Sequence, residues 1–501
     1  MEVPVDLSHH INEKSRARHP SPLKDIIKFM GEEGMISLAG GLPHPSLFPL
    51  HEVSFKVPGP PGLGQPLDAR QQQSSDLTIG RDPVSDQIDL TQFLQYGNGS
   101  GNRQLLALCN DLTQRVHAPP CQYQCLLHPG NTNAWAKVVG LLCEDKDFVI
   151  VEEYTYPSAQ ALWVPLGIKA VPVAADEQGI QAGQLRQLLE DWDEDVRGAK
   201  RPHVLYLVSV GSNPTGITIS AQRRLVEDDP YYFLQYPSYQ DSLACTKPQQ
   251  KTSDDFLKTL TPSFLSLDTQ GRVIRLESFS KTLFPGLRLG YFVANPLFTE
   301  RLLRATEVET QDPAGLSQAY VLGILQSWGI DGYLSWLQSL QFQYLTRRNW
   351  LLDSFSEHFT LEAAEKSPLT SADSLVASIR TKDGTLRRPV FSFVDPTAGM
   401  FVWSKFYFDK VPRFIELQRT DHQDPEQAFA DELWKAWASE LVLLTPGSYY
   451  HPWQGFEKTT TKARGADPST AHFRFSFATP TQHEIRAGVK RMSEVIQRFW
   501  E

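Results

Sequence analysis

The middle of the chain alternates short, continuous apolar runs with amphipathic segments. The apolar runs are DFVIVEE at 147–153, IKAVPVAA at 168–175, HVLYLVSV at 203–210 and RVIRLESFS at 272–280. Continuous apolar strands separated by helical segments are typical of a parallel sheet buried on both faces by crossover helices. The pattern therefore predicts an α/β fold with a large domain, whose mostly parallel central sheet is flanked by helices.

The alternation ends near Thr299, where long helical segments begin. FTERLLRATEVE and YLSWLQSLQFQYLTRRNWLLDSF have helical spacing, and strand-like LVLLTPG and FRFSFA follow them. We therefore expect a large domain at 96–330 and a smaller C-terminal α+β domain at 331–501, with an N-terminal segment at 1–95. Within that segment, 56–87 is rich in Pro, Gly, Gln and Ser and has no apolar period, which predicts an exposed insertion.

Composition and charge narrow the classes of function. The 501 residues carry a formal net charge of −10, whereas nucleic-acid binding needs a basic face, so we expect no nucleic-acid partner. Five scattered cysteines without a neighbouring histidine pair predict neither a disulfide framework nor a metal site. The first residues, MEVPVDLSHHINEKSRAR, contain Glu2, Asp6 and Glu13 and have no apolar core, which predicts neither a secretory signal nor a transit peptide. Together with the lack of an apolar run near ~20 residues, this predicts a cytoplasmic protein without membrane association.

Two polar segments follow apolar runs, at the positions where strands of a parallel sheet would end. VLYLVSVGSNPTG places Asn213 after a strand, where ligands bind in open α/β sheets, although SNPTG alone is usually a simple turn. LVEDDPYYF places Asp228 and Tyr231 after a second run. Taken alone, this acidic cluster also fits a helix cap, a solvated surface or a metal ligand set.

A third segment, RVIRLESFSKTLFPGLRLG, combines an amine with anion-binding groups. A strand delivers Ser278, Ser280 and Lys281 together, and Arg288 follows seven residues after the lysine. A lysine in a loop is normally a solvated charge. Two hydroxyls and a guanidinium beside it instead indicate an anion site with an amine that attacks a carbonyl group.

A fourth segment, LLHPGNTNAWAKVVGLLCE, is a Gly-Asn turn that opens an apolar-faced helix. The backbone N–H groups at such a helix start bind phosphate. An ordinary core helix capped by Asn131 or Thr132 explains the same residues equally well.

These four segments, in this order, resemble the fold-type I pyridoxal-phosphate aminotransferases of class I/II. The resemblance is to the subgroup of fungal aromatic amino-acid aminotransferases and kynurenine/2-aminoadipate aminotransferases, and it covers nearly the whole chain. In this family the N-terminal segment packs on the active site and the small domain. Further matching strings are ARHPSPLK, ISLAGGLPHPSLFP, LQYGNGSGNRQL, EEYTYPSAQ, AGMFVW and HFRFSFA.

The resemblance implies a role for each matching residue. Lys281 would link covalently to the cofactor and later carry the proton to and from the substrate α-carbon, and Asp228 would pair with the pyridine nitrogen. Tyr156 would stack on the ring, while Asn213 and Tyr231 would bind the phenolate oxygen. The phosphate would be held by Asn131, Thr132, Ser278, Ser280, Arg288 and, from a neighbouring subunit of a homodimer, Tyr96.

The resemblance also implies a substrate site. Arg474 in HFRFSFA matches the arginine that grips the α-carboxylate, a task that suits a planar and permanently charged guanidinium. Gly41 and Asn213 would line the same pocket, and Lys24 is the closest match to the basic residue that meets the substrate side chain. The implied reaction is transamination of Tyr, Phe or Trp with 2-oxoglutarate or another 2-oxo acid, and the alternative donors are 2-aminoadipate and kynurenine.

The segment between Gly216 and Glu227 departs from this pattern. Only ITISAQRRLV separates the two residues, roughly one crossover helix too short for a βαβ connection. Either an isoform with a damaged core or the excision of coding sequence as an intron explains the gap, and an inactive product is therefore a further alternative. A pyridoxal-phosphate-binding transcription regulator is not favoured, because no winged helix-turn-helix precedes ISLAGG.

Overall fold

A computed structural model of the chain describes most of its residues. The described residues are 1–20, 33–36, 38, 41–59, 74–81, 88–220, 228–239, 250–364, 374–380, 387–420 and 422–500. No helix of these ranges is long and apolar enough to cross a bilayer.

Strands and helices alternate along most of the described chain. The strands are β1 Glu52–Pro58, β2 Ser74–Gly80, β3 Gln124–His128, β4 Phe148–Glu152, β5 Lys169–Val173, β6 Ala175–Asp176, β7 Gly179–Ile180, β8 Val204–Tyr206, β9 Arg275–Ser278, β10 Gly290–Ala294, β11 Thr360–Ala363, β12 Ser374–Arg380, β13 Arg387–Val394, β14 Phe401–Tyr407, β15 Thr445–Pro446 and β16 Thr470–Ser476. The α-helices are α1 Glu13–Arg16, α2 Thr91–Leu94, α3 Arg103–His117, α4 Asn131–Leu142, α5 Pro157–Trp163, α6 Ala182–Glu190, α7 Glu194–Arg197, α8 Ser253–Thr259, α9 Pro296–Glu309, α10 Gly315–His358, α11 Pro412–Arg419, α12 Pro425–Ser439, α13 Thr461–Arg464 and α14 Gln482–Trp500.

Contacts within the chain define two compact units, each built from non-contiguous segments. Unit 1 comprises Met1–Asp145, Arg224–Phe233 and Gln249–Leu340, and unit 2 comprises Lys146–Arg223, Leu234–Pro248 and Gln341–Glu501. The domain boundaries expected from the sequence stay a prediction.

Unit 1 contains a three-stranded sheet in the order β3-β10-β9. The central strand β10 is antiparallel to both neighbours. All five residues of β10 are buried, as its continuous apolar character predicts, and all four of β9 are buried although three of them are polar or charged. Helices α3 and α9 pack on β3. Strand β9 pairs with the fully buried strand β10, which holds the carboxyl end of β9 in place.

Unit 2 contains a parallel sheet and a larger antiparallel sheet. Strands β5-β4-β8 are parallel, which confirms the α/β class predicted from the alternating pattern. The antiparallel sheet has the order β11-β12-β13-β14-β16-β15, and α12 and α14 pack with it around a core rich in phenylalanine. Alternating inward residues on these strands, such as Phe391 and Phe393, form that core.

Part of the segment predicted to be an exposed insertion forms a strand pair instead. Residues 60–73 and 82–87 lie outside the described residues, but β1 and β2 pair along their whole length. Val57 and Ile79 are buried because apolar residues alternate with polar ones on both strands. The Pro- and Gly-rich composition around the pair conceals that alternation.

Helix α10 changes direction within its length. Gly329 has φ 65° and ψ 173°, a non-helical conformation that separates two helical stretches. The first stretch begins at Gly315, and the second carries Tyr333 and Trp336 in unit 1.

The short junction noted in the sequence is only partly described. Gly216 closes a turn in which its N–H donates to the Ser212 carbonyl, and Ile219 N–H donates to the Ser209 carbonyl. Residues 221–227 lie outside the described residues, so the predicted loss of a crossover helix stays a prediction.

Candidate active site

Lys281 lies in the turn that follows β9, and its amine faces an aromatic ring. The lysine Nζ is 6.0 Å from the ring centroid of Tyr231, which is itself buried. Both residues belong to unit 1. The structure thus brings together a lysine and a tyrosine that the sequence separates by fifty positions.

Asp228 lies beside the start of helix α4. It forms an isolated parallel bridge with Leu276 of β9, and it accepts a hydrogen bond of 2.7 Å from Asn131 Nδ2. The same Asn131 amide donates to the Leu276 carbonyl at 3.1 Å. Asn131 therefore joins the first residue of α4 to both the aspartate and the strand that leads to Lys281.

The next residue, Asp229, enters a buried ionic network. Its carboxylate accepts from Arg275 Nη1 at 3.1 Å, and Arg275 Nε donates to Glu277 Oε1 at 2.5 Å. His117 Nε2 lies 3.1 Å from the same Glu277 oxygen, and all four side chains are nearly inaccessible to solvent. Consecutive residues of an extended chain point in opposite directions, so Asp228 faces Asn131 while Asp229 faces Arg275.

The pKa values in this network indicate fixed charges. Burial raises the pKa of Glu277, but the Arg275 charge and the hydrogen bond from His117 outweigh it and lower the pKa to about 2. Burial and the Arg275 charge lower the pKa of His117 to about 4, against the opposing effect of Glu277. His117 is therefore neutral near pH 7 and donates through Nε2.

Helix α4 begins without a side-chain cap. Its N-cap residue is Gly130, with φ 96°, so the alternative in which Asn131 or Thr132 caps the helix is wrong. A Cβ atom on Gly130 would lie 2.1 Å from Arg288 Nη2, which explains why a glycine occupies this turn. Thr132 is exposed and Asn131 partly buried, both in the first turn that was predicted to bind phosphate.

The predicted anion-binding side chains meet at this helix start. Arg288 Nη1 donates to Ser280 Oγ at 3.4 Å, and its Nη2 donates to the Pro129 carbonyl at 3.4 Å. Ser278 accepts a hydrogen bond of 3.1 Å from the Ser280 backbone N–H. Two hydroxyls, a guanidinium and a helix N-terminus therefore lie within one small region of unit 1.

Unit 2 holds a second group, centred on Arg474 of β16. Its Nη1 donates to Asn213 Oδ1 at 2.6 Å, and its Nη2 donates to Thr445 Oγ1 at 3.4 Å. The guanidinium lies over the Phe401 ring at 4.1 Å and the Tyr450 ring at 5.2 Å. Two aromatic faces and an amide thus fix the plane of the arginine fork.

A close approach of two glycines supports the turn that carries Asn213. Gly211 and Gly399 have φ of 56° and 75°. A Cβ on Gly211 would lie 2.5 Å from the Gly399 nitrogen, and one on Gly399 would lie 2.7 Å from the Gly211 carbonyl oxygen. Ser212 Oγ also donates to Glu152 Oε2 at 3.0 Å, so the turn is tied to the end of β4.

The remaining predicted residues are Tyr156, Tyr96, Gly41 and Lys24. Tyr156 is the partly buried N-cap residue of α5 in unit 2. Tyr96 is 62% exposed, and a Cβ on Gly41 would meet no heavy atom within 4 Å. Lys24 lies outside the described residues.

Sequence reasoning missed several residues that support the site. Arg275, Glu277 and His117 were not singled out, although two charges in an otherwise apolar strand are a detectable signal, since buried charges need partners. Tyr333 and Trp336 were missed as well, because nothing in a helical pattern indicates which turn they contact.

Comparisons with known proteins identify relatives of the whole chain. An aromatic amino acid aminotransferase of Schizosaccharomyces pombe is 35% identical over 445 residues, which cover 83% of this chain and 85% of that protein. An L-tyrosine:2-oxoglutarate aminotransferase of Serpula lacrymans is 32% identical over 468 residues, covering 89% and 84% of the two chains. The crystal structure of aminotransferase Aro8 from Candida albicans matches with a TM-score of 0.85 at 31% identity, covering 100% of both chains.

No family model matches the chain. The long alignments at more than 30% identity nevertheless confirm the resemblance stated from the sequence, and the Candida albicans structure confirms the fold. The chain belongs to the family of aromatic amino-acid aminotransferases.

Proposed function

We propose that this aminotransferase moves the amino group of an aromatic amino acid to 2-oxoglutarate or another 2-oxo acid, with pyridoxal 5'-phosphate as its cofactor. The names of the relatives support the substrates. The observation that carries the proposal is the group in unit 1, where Lys281, Tyr231, Asp228 and Asn131 surround the end of β9 and the start of α4.

The donor set in unit 1 fits pyridoxal phosphate. Asn131 Oδ1 is buried and has no hydrogen-bond partner among the described residues, and the uncapped start of α4 lies beside Arg288 and Ser280. A helix N-terminus with hydroxyls and a guanidinium suits a phosphate, and a buried carboxylate suits a protonated pyridine. When bound, the cofactor supplies an electron sink for the substrate α-carbon.

Each residue of this group has a defined task in the proposed reaction. Lys281 would hold the cofactor through its amine and would move a proton to and from the substrate α-carbon, which requires a neutral amine. Asp228 would hold a proton at the pyridine nitrogen, and its hydrogen bond from Asn131 orients the carboxylate. Tyr231 and Asn213 would bind the phenolate oxygen, Tyr156 would stack on the ring, and the phosphate would be bound by Ser278, Ser280, Thr132 and Arg288.

Arg474 recognises the substrate. We assign it the α-carboxylate, because its guanidinium is held in one plane between two aromatic rings and is permanently charged. Its hydrogen bond to Asn213 connects carboxylate binding to a residue assigned to the cofactor. We assign Gly41 and Lys24 as the remaining substrate contacts. None of the contacts in the described part of the chain favours 2-aminoadipate or kynurenine over tyrosine, phenylalanine or tryptophan as the donor.

We further propose a cytoplasmic homodimer with shared active sites. Tyr96 is 62% exposed, which supports the dimer with shared sites. From the surface, its ring would reach the phosphate of the cofactor bound to a neighbouring subunit. Sedimentation of the purified chain, with and without Tyr96→Ala, tests the dimer and the role of the tyrosine separately.

The test of function is a visible spectrum recorded with added pyridoxal phosphate, before and after tyrosine. We expect a band that shifts on adding tyrosine and is absent in Lys281→Ala. The control for the short junction is a chimaera that carries the corresponding crossover of the Schizosaccharomyces pombe relative. A band in the chimaera but none in this chain would contradict the proposal and show an inactive product of an aminotransferase sequence.

A further inference from the structure

Thr282, the residue after Lys281, is held at two atoms by one helix. Tyr333 Oη donates to Thr282 Oγ1 at 2.8 Å, and Trp336 Nε1 donates to the Thr282 carbonyl at 2.6 Å. Thr282 Oγ1 in turn lies 3.4 Å from the Ser278 carbonyl, to which it donates. Thr282 and Tyr333 are buried, so these bonds are shielded from water.

We propose that Tyr333 and Trp336 are positioning residues for Lys281. The inference rests on the proposed function, in which the Lys281 amine both links to the cofactor and carries a proton. The amine is at the end of a flexible side chain, so its reach is set by where the backbone of the turn is anchored. A displacement of about 1 Å at a reacting group costs up to ~100-fold in rate.

Thr282 is the right residue to hold for this purpose. Its side chain and backbone are fixed by different partners, so the turn can neither rotate nor translate without breaking one of the two bonds. These two bonds form a clamp that fixes the backbone from which the Lys281 side chain extends.

The strand pair β1–β2 extends the clamp outward. Trp328 Nε1 donates to the Pro58 carbonyl of β1 at 3.2 Å, and the Trp328 and Trp336 rings lie 5.5 Å apart. Phe55 of β1 stacks on Tyr320 at 4.2 Å, and Tyr320 contacts Phe284 at 5.3 Å. Both routes lead from the strand pair to the turn after Lys281, and the route through Trp328 and Trp336 crosses the break at Gly329.

The clamp predicts a specific set of kinetic defects. Tyr333→Phe removes one partner of the bond between Tyr333 and Thr282, and Thr282→Val removes the other together with the bond to the Ser278 carbonyl, so each should lower kcat at least about tenfold with KM changed less than about twofold. The double variant should be no worse than Thr282→Val alone, because that change already removes the shared bond. Thr282→Ser keeps the hydroxyl and should restore the rate.

A readout on the unloaded protein separates positioning from catalysis. Apo-protein mixed with pyridoxal phosphate should form the visible band more slowly in Tyr333→Phe and Trp336→Phe, and the pH midpoint of that band should shift. Tyr320→Phe is the matched control on the same helix, since it removes a hydroxyl but keeps both ring contacts, and it should behave as wild type. Trp328→Phe should give a smaller delay than Trp336→Phe.

Each outcome bears on the inference in one direction. If Tyr333→Phe and Trp336→Phe melt at lower temperature but keep the wild-type kcat, band formation rate and pH midpoint, both residues are merely structural and the inference is overturned. If the wild-type chain itself forms no band, the proposed function fails first. If band formation is slower but the losses of kcat in the two single variants add up in the double variant, Tyr333 and Thr282 do not act through one shared bond.

Discussion

The two units hold their charged site residues by different means. In unit 1, Asp228 is adjacent to a buried network of opposite charges, in which Arg275 bridges Asp229 and Glu277. In unit 2, Arg474 lies between aromatic rings and donates to a neutral amide. The buried charge pairs fix the backbone beside Asp228 through its neighbour Asp229, whereas aromatic faces and an amide orient the Arg474 guanidinium itself.

The largest expected effect is in unit 1, at Asp228. Asp228→Asn should lower kcat by at least about 10³-fold, because the amide does not keep a pyridine nitrogen protonated. The visible band with pyridoxal phosphate should still form, since Lys281 is unchanged. A rate within tenfold of wild type would remove Asp228 from the assigned role.

Asp229→Asn is the neighbouring control for that variant. It should lower the free energy of unfolding by about 3 to 5 kcal/mol, since one partner of a buried ion pair is removed while Arg275 remains. Urea unfolding measures this loss. An unaltered unfolding midpoint together with a collapse of kcat would reverse the roles assigned to the two aspartates.

The next effect is in unit 2, at Arg474. Arg474→Lys should lower kcat/KM for tyrosine by about 10- to 100-fold, because an ammonium group cannot form two parallel hydrogen bonds with a carboxylate. Formation of the cofactor band should be unchanged, which distinguishes this group from that of unit 1. Arg413→Lys, an arginine half-exposed on α11, is the control and should leave kcat/KM as it is.

The last effect is on stability rather than on rate, and it is a change in the pH dependence of unfolding. The pKa of His117 is lowered from 6.5 to about 4, so its contribution is complete above pH 6.5 and is lost as pH falls towards 4, on the order of 3 kcal/mol. His117→Gln should flatten the unfolding free energy over this window. The slope that remains belongs to other buried histidines, including His128, whose pKa burial lowers to about 3. An unchanged slope would show that His117 is already charged in the folded state.

The ends of apolar runs indicated part of the site. They singled out the segments that carry Lys281, Asn131 and Asp228, and the structure brings these segments to β9 and α4. These placements depend on local patterns, which a sequence displays directly. The assignment of these residues to one cofactor came from the resemblance to aminotransferases and not from the local pattern.

The supporting contacts could not be predicted in this way. Tyr333 contacts a turn about fifty residues earlier, and its position depends on the break at Gly329, which no helical periodicity indicates. The strand pair β1–β2 was hidden by surrounding Pro and Gly, although Val53, Phe55 and Val57 alternate with polar residues. Such contacts depend on tertiary packing, which outweighs local composition.

The paired glycines 211 and 399 impose a joint constraint on variation. Each occupies the space in which a side chain of the other would have to fit, and both adopt backbone angles that glycine alone adopts freely. In a saturation library, alanine at either position should therefore disturb the Asn213 turn, and a second substitution at the other position should aggravate the defect. Two loops that are far apart in the sequence therefore cannot be varied independently at these positions. A directed-evolution experiment on substrate choice should leave both glycines unchanged.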